Sequence, residues 1–81
     1  MRQQNLRLPV QLDRDGRPIA VLLHGAFQQV TSVIDSWQWA GDWVNDVSER
    51  DYWLVSLEGG GVLELYEESG SNNWVLSGVA D

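Results

Sequence analysis

Hydrophobic and polar residues alternate along most of this chain, and turn residues interrupt the alternation at regular points. Leu6, Leu8, Val10 and Leu12 stand two apart with polar or neutral residues between them, the period of a strand with one buried face. Pro9 falls on the opposite parity and has no N–H to give a ladder, so the spacing predicts an edge strand. Asp13-Arg14-Asp15-Gly16 supplies turn chemistry. Ile19 to Leu23 is apolar without interruption, which suits a strand buried on both faces. His24-Gly25 reads as a two-residue hairpin turn with the glycine at positive φ. The chain then returns through Phe27 and Val30.

Residues 30–37 fit two patterns. Val30, Val33, Ile34 and Trp37 fall at i, i+3, i+4 and i+7, one face of a helix. Yet Val30, Thr31, Val33 and Ile34 in this stretch are β-branched, and Trp37 and Trp39 alternate. A long strand whose parity slips near Ser32, as at a β-bulge, accommodates both patterns and is the preferred reading. The connection from Ala40 to Arg50 carries Gly41, Asp42, Asn45, Asp46 and Ser48, with room for a short helical turn around residues 42–48.

The last third is plainer. Trp53, Val55 and Leu57 share one face of a strand; Gly59-Gly60-Gly61 forms a hairpin loop; Leu63 and Leu65 share a face of the return. After the turn Ser69 to Asn73, Trp74, Leu76 and Gly78 alternate on a final strand. Six strands joined mostly by tight turns predict an all-β fold, an antiparallel meander curled into a small half-open barrel.

Composition sets limits on this picture. Eighty-one residues make a single domain, residues 1–81. With 43% hydrophobic and 21% charged residues the chain lies outside the disordered class. The polar residues 1–5 are expected to form a disordered N-terminus. There is no cysteine, which removes disulfides and thiolate metal sites and favours the cytoplasm over a secreted setting. No apolar run approaches the roughly 18 residues of a membrane helix. Twelve acids against five arginines leave a net charge of −7. That field opposes contact with a phosphate backbone, so nucleic acid is an unfavoured partner.

The sequence carries little reaction chemistry. His24 is the only histidine and sits in a predicted tight turn, so the seven serines lack a nearby base for a triad. Asp13-Arg14-Asp15-Gly16 resembles the opening of a calcium loop but lacks its third acidic position and distal glutamate. The three-glycine run leads into a strand without a following lysine, unlike a phosphate loop. Glu64, Glu67 and Glu68 could be paired with Asp42, Asp46 or Glu49 for acid–base work. Glu64 and Glu68 share parity with Tyr66, which reads better as a solvated outer face. Arg50 and Asp51 read as a pair fixing a strand entry. No catalytic residue, cofactor or metal is assigned.

Several segments, in order, carry a resemblance: the His24-Gly25 hairpin, Val33-Ile34-Asp35-Ser36-Trp37, Gly41-Asp42-Trp43, Glu49-Arg50-Asp51-Tyr52-Trp53-Leu54-Val55, a glycine turn, Leu63-Glu64-Leu65-Tyr66 and Trp74 to Asp81. Over roughly residues 17–81 the pattern resembles a small bacterial domain found in actinobacteria and Deinococcus relatives. That domain occurs alone or near the C-terminus of proteins related to ImuB, an accessory subunit of error-prone Y-family polymerases. The resemblance implies a setting near DNA-damage tolerance and no reaction mechanism. The hairpin around Gly25 departs from the pattern, with Leu23, His24, Ala26 and Gln28 where an aromatic and basic residues are usual.

The aromatics are the strongest functional signal. Trp53 and Trp74 align with aliphatic faces and read as core. Trp37, Trp39 and Trp43, flanked by Asp35 and Asp42, either cap an open barrel end or line a surface that receives a partner. Tryptophan is enriched at the energetic centres of interfaces. The candidate interaction surface is therefore Trp37, Trp39, Trp43, Asp42 and Arg50. The expected function is a non-catalytic protein-interaction module, its partner a protein linked to a polymerase, with self-association through the first edge strand as a further possibility. The alternative is stacking of single-stranded nucleic acid on the tryptophans.

Overall fold

Two-residue periodicity broken by turn residues divides nearly the whole chain into strands, and the computed structural model contains seven of them among the residues it describes. Those are residues 2–41, 44 and 49–80, with the backbone alone for residues 2–5. In chain order they are β1 (Arg2–Arg7), β2 (Val10–Leu12), β3 (Pro18–Leu23), β4 (Ala26–Trp39), β5 (Arg50–Leu57), β6 (Val62–Glu68) and β7 (Trp74–Ala80). All pair antiparallel in one sheet ordered β1-β7-β6-β5-β4-β3-β2. No helix occurs among the described residues, so residues 30–37 are strand. The helical turn expected at 42–48 lies, Val44 apart, outside them.

The seventh strand arises at Pro9. The single strand expected over residues 6–12 divides there, and its halves join opposite ends of the sheet. β1 pairs with β7 and β2 with β3. Leu8 donates its N–H to the Trp74 carbonyl at 3.3 Å, and the next carbonyl, of Pro9, accepts from Leu22 at 3.0 Å. Two residues thus tie the sheet's terminal strands together and curl it into a half-open barrel. Proline suits this corner because neither ladder asks for its missing N–H. Residues 2–5, expected to lie outside the fold, form the start of β1.

The interior is apolar. Leu8, Val21, Val55, Leu57, Leu63, Leu65, Trp74 and Leu76 form one buried cluster, with Val30, Trp53 and Val79 packed against it. Both tryptophans assigned to the core are therefore in or against it. No polar or charged side chain among the described residues is buried. Two expectations change. β3 is buried only in part, since Ile19 stands 42% exposed. On β7 an extra residue, Ser77, shifts the register between Leu65↔Leu76 and Glu64↔Gly78. Val79, opposite Leu63, consequently joins the core with Trp74 and Leu76, in the place expected for Gly78.

β4 carries two such slips. Its pairing with β5 skips Thr31, between Val30↔Leu57 and Ser32↔Ser56, and Ile34, between Val33↔Val55 and Asp35↔Leu54. The Thr31 and Ser32 hydroxyls both bond the Ser56 hydroxyl, at 2.9 and 2.6 Å. A bulge bends a strand and sharpens its twist. These two let β4 leave β3 after Gln29 and continue along β5 alone.

Candidate functional site

Alternation along β5 sets up the site. Val55 and Leu57 face the core, so Arg50, Tyr52 and Leu54 face outward. Pairing carries that outer face across the neighbouring strands. One row runs Trp37, Tyr52, Tyr66, Val75; the next holds Trp39, Arg50 and Glu68. On the other side of the aromatic row stand Asp35, Leu54 and Glu64.

The rings make contact along the row. Trp37 stacks on Tyr52 with centroids 5.3 Å apart and planes within 3° of parallel, and Tyr52 meets Tyr66 at 5.3 Å and 43°. Cross-strand aromatic pairs of this kind are stabilising beyond the area they bury. Val75, next in the row, is buried although it lies outside the interior cluster. The row remains accessible at its β4 end, where Trp37 and Trp39 are each 40% exposed.

Arg50 binds the two rows together. Its guanidinium carbon lies 4.4 Å from the Tyr66 ring centre and 5.7 Å from that of Trp39, within cation–π range of both. Nη1 donates a long 3.4 Å hydrogen bond to the Tyr52 hydroxyl. That bond holds the Arg50 pKa above its ordinary value against the opposing effect of burial, with Tyr66, Tyr52 and Glu68 adding smaller electrostatic support. Nε is buried with no hydrogen-bond partner among the described residues. Arg50 is thus a flat cation held between rings.

Of the five residues expected at the surface, Trp37, Trp39 and Arg50 come together on this face. Asp42 and Trp43 lie outside the described residues. Trp37 and Trp39 sit on the outer face of the sheet and do not cap a barrel end. Arg50 and Asp51 do not pair: successive strand residues point to opposite faces, and Asp51 instead accepts from the Ser69 hydroxyl at 3.2 Å. Two residues of the site, Tyr52 and Tyr66, were absent from the candidates. The signal for Tyr52 was its parity, opposite to Trp53 and Val55. Tyr66 was placed on the outer face as a solvated position, without its ring partners.

The other motifs resolve into turns. The Asp13 carboxylate accepts from the backbone N–H groups of Asp15 and Arg17, both at 2.9 Å, the work of a turn-forming aspartate. His24 and Gly25 both adopt positive φ, 52° and 80°, the signature of a type I′ hairpin. Gly60 and Gly61 also lie at positive φ in the β5–β6 hairpin. Glu64 accepts from the Ser77 hydroxyl, and Glu67 from the Asn72 N–H. Among the described residues no cluster of His, Asp or Glu is arranged to hold a metal ion, and no helix is long and apolar enough to cross a membrane.

No protein-family model, curated protein or solved structure matches this chain.

Proposed function

We propose that this domain is a non-catalytic protein-interaction module that docks through the outer face of β4, β5 and β6. One observation carries the reading: Trp37 stands half-exposed at the end of a stacked aromatic row with Trp39 equally exposed beside it, and Arg50 is fixed between the rings. Exposed aromatics held rigid by their neighbours offer area at low entropic cost, as interface anchors do. The resemblance to the ImuB-associated domain favours a partner connected with DNA-damage tolerance. The absence of cysteine favours a cytoplasmic setting. Self-association through β1, an end strand of the sheet, is a further route to assembly.

Affinity capture from the native host with the wild type, Trp37→Ala and Trp39→Ala tests the assignment. A specific partner should be retained by the wild type and lost by both variants, with the fold verified by circular dichroism. A partner held equally by all three would remove the aromatic face from consideration.

Stacking of single-stranded nucleic acid ranks second. The exposed rings favour it and the net charge of −7 opposes it. It requires quenching of tryptophan fluorescence by an oligonucleotide at low salt, with steep loss as salt rises.

A further inference from the structure

We infer that the partner enters as an added strand: an extended, cationic segment of another protein pairs along the free edge of β4 beside Trp37 and Trp39. The inference rests on the interaction-module reading, and adds the binding mode and the partner's charge. β4 is 14 residues long. Ala26 to Gln29 pair with β3, whereas Val30 to Trp39 pair only with β5. Past Gln29, no strand among the described residues occupies the side of β4 away from β5. Every residue from 31 to 39 is exposed. Unpaired backbone groups on such an edge are a template for a further strand.

The usable stretch is defined by register. The bulges at Thr31 and Ile34 disturb the first part of the edge, but from Asp35 to Trp39 the pairing with β5 is unbroken. Within it Ser36 gives its backbone N–H to the neighbouring Asp35 carboxylate at 2.8 Å. Antiparallel residues alternate in the neighbour they bond, so Ser36 and Gln38 direct their backbone groups to the open side. An arriving strand would displace a carboxylate from Ser36 and meet the outward backbone groups of Gln38, which have no partner among the described residues. Its outward side chains would land beside Trp37 and Trp39.

Charge selects the occupant. Four of the five arginines fall within residues 1–17; from residue 18 onward ten carboxylate side chains accompany one arginine, Arg50. Asp35 lies on the edge strand itself, Asp51 on the strand beside it, and Glu64 and Glu68 one strand further. This field attracts a cationic segment and disfavours a second copy of the same acidic surface. A lysine or arginine on the added strand would also lie against an exposed indole ring.

The test begins with selection of a random ten-residue peptide library on the full chain. Enriched peptides should be cationic, with apolar and basic residues alternating. The best of them, made synthetically, should slow amide exchange at Ser36 and Gln38. Methylating its alternate backbone nitrogens leaves charge unchanged and should weaken binding by about tenfold or more, the effect of two or three lost hydrogen bonds. Acidic or neutral winners, or undiminished binding of the methylated peptide, would overturn the inference. If methylation is harmless but Trp37→Ala abolishes binding, strand addition fails and the docking face stands. Undiminished binding to Trp37→Ala sinks the face itself, and a library that yields nothing sinks both. Sedimentation of the chain alone must find no dimer that depends on the β4 edge; a dimer abolished by Ser36→Pro would assign that edge to a second copy.

Discussion

Trp37 and Tyr52 lie face to face across β4 and β5, with ring centroids 5.3 Å apart and planes 3° from parallel. The contact is at once structural and exposed, so each ring limits the motion of the other without removing it from solvent. Truncation of Trp37 should separate these roles. Trp37→Ala loses the stacking and a little over half a side chain of burial, for an expected cost of about 1–3 kcal/mol. Urea unfolding measures it. A change below about 0.5 kcal/mol, the low end for aromatic pairs, would mean that the stack contributes nothing to holding β4 on β5.

Arg50 brings two effects of opposite sign. Stacking on Tyr66 and Trp39 is favourable, whereas burying Nε with no hydrogen-bond partner among the described residues is not. Arg50→Lys keeps the charge and gives up both the planar stack and Nε, so the net loss should be small, about 0.5 kcal/mol. Arg50→Ala should lose more, because the stem no longer covers the rings. Thermal melts that place the lysine variant above the wild type would show that the buried nitrogen outweighs the stack.

The turn at His24-Gly25 offers a test free of packing effects. A Cβ on Gly25 would meet nothing within 4 Å, so Gly25→Ala reports the cost of positive φ alone, about 1 kcal/mol. For a domain of this size that lowers the melting temperature by roughly 4–8 °C. His24→Asn, better suited to its φ of 52°, should move stability slightly the other way.

Leu65 is among the largest side chains with no exposed surface. Leu65→Ala should cost about 2–5 kcal/mol, a large share of what so small a domain possesses. Calorimetry should find the variant close to unfolded at 37 °C. A melting temperature within a few degrees of the wild type would contradict the packing described for the cluster.

The fold was readable from the sequence wherever strict alternation ran into turn residues. Trp53, Val55 and Leu57, or Leu63 and Leu65, allow only one assignment. The difficult segment was Val30 to Trp37, and its structure explains the ambiguity. A bulge consumes one residue, so Val30 and Val33, three apart, face the same side of a strand. Three-residue spacing on one face is also the mark of a helix. The same effect put Val79 in the place expected for Gly78. The candidate site was half readable: Trp37, Trp39 and Arg50 stand out by type, but no single strand's periodicity reveals that Tyr52 and Tyr66 complete their row. That follows from register between strands, which is a property of pairs.

The link at Leu8-Pro9 has a consequence for the order in which this chain can be built. β1 is made before the other described strands, but its hydrogen-bonding partner, β7, is the last of them to be made. Synthesis proceeds at about 5–20 residues per second, so β1 waits several seconds for its place. β2 can join β3 as soon as the hairpin exists, which leaves β1 tethered to a partly formed sheet. Closure of the barrel therefore waits for β7, with an entropic cost set by the longest sequence separation between paired strands. Arg2 and Arg7 keep the waiting segment polar at its two ends, a composition that discourages it from pairing elsewhere in the meantime.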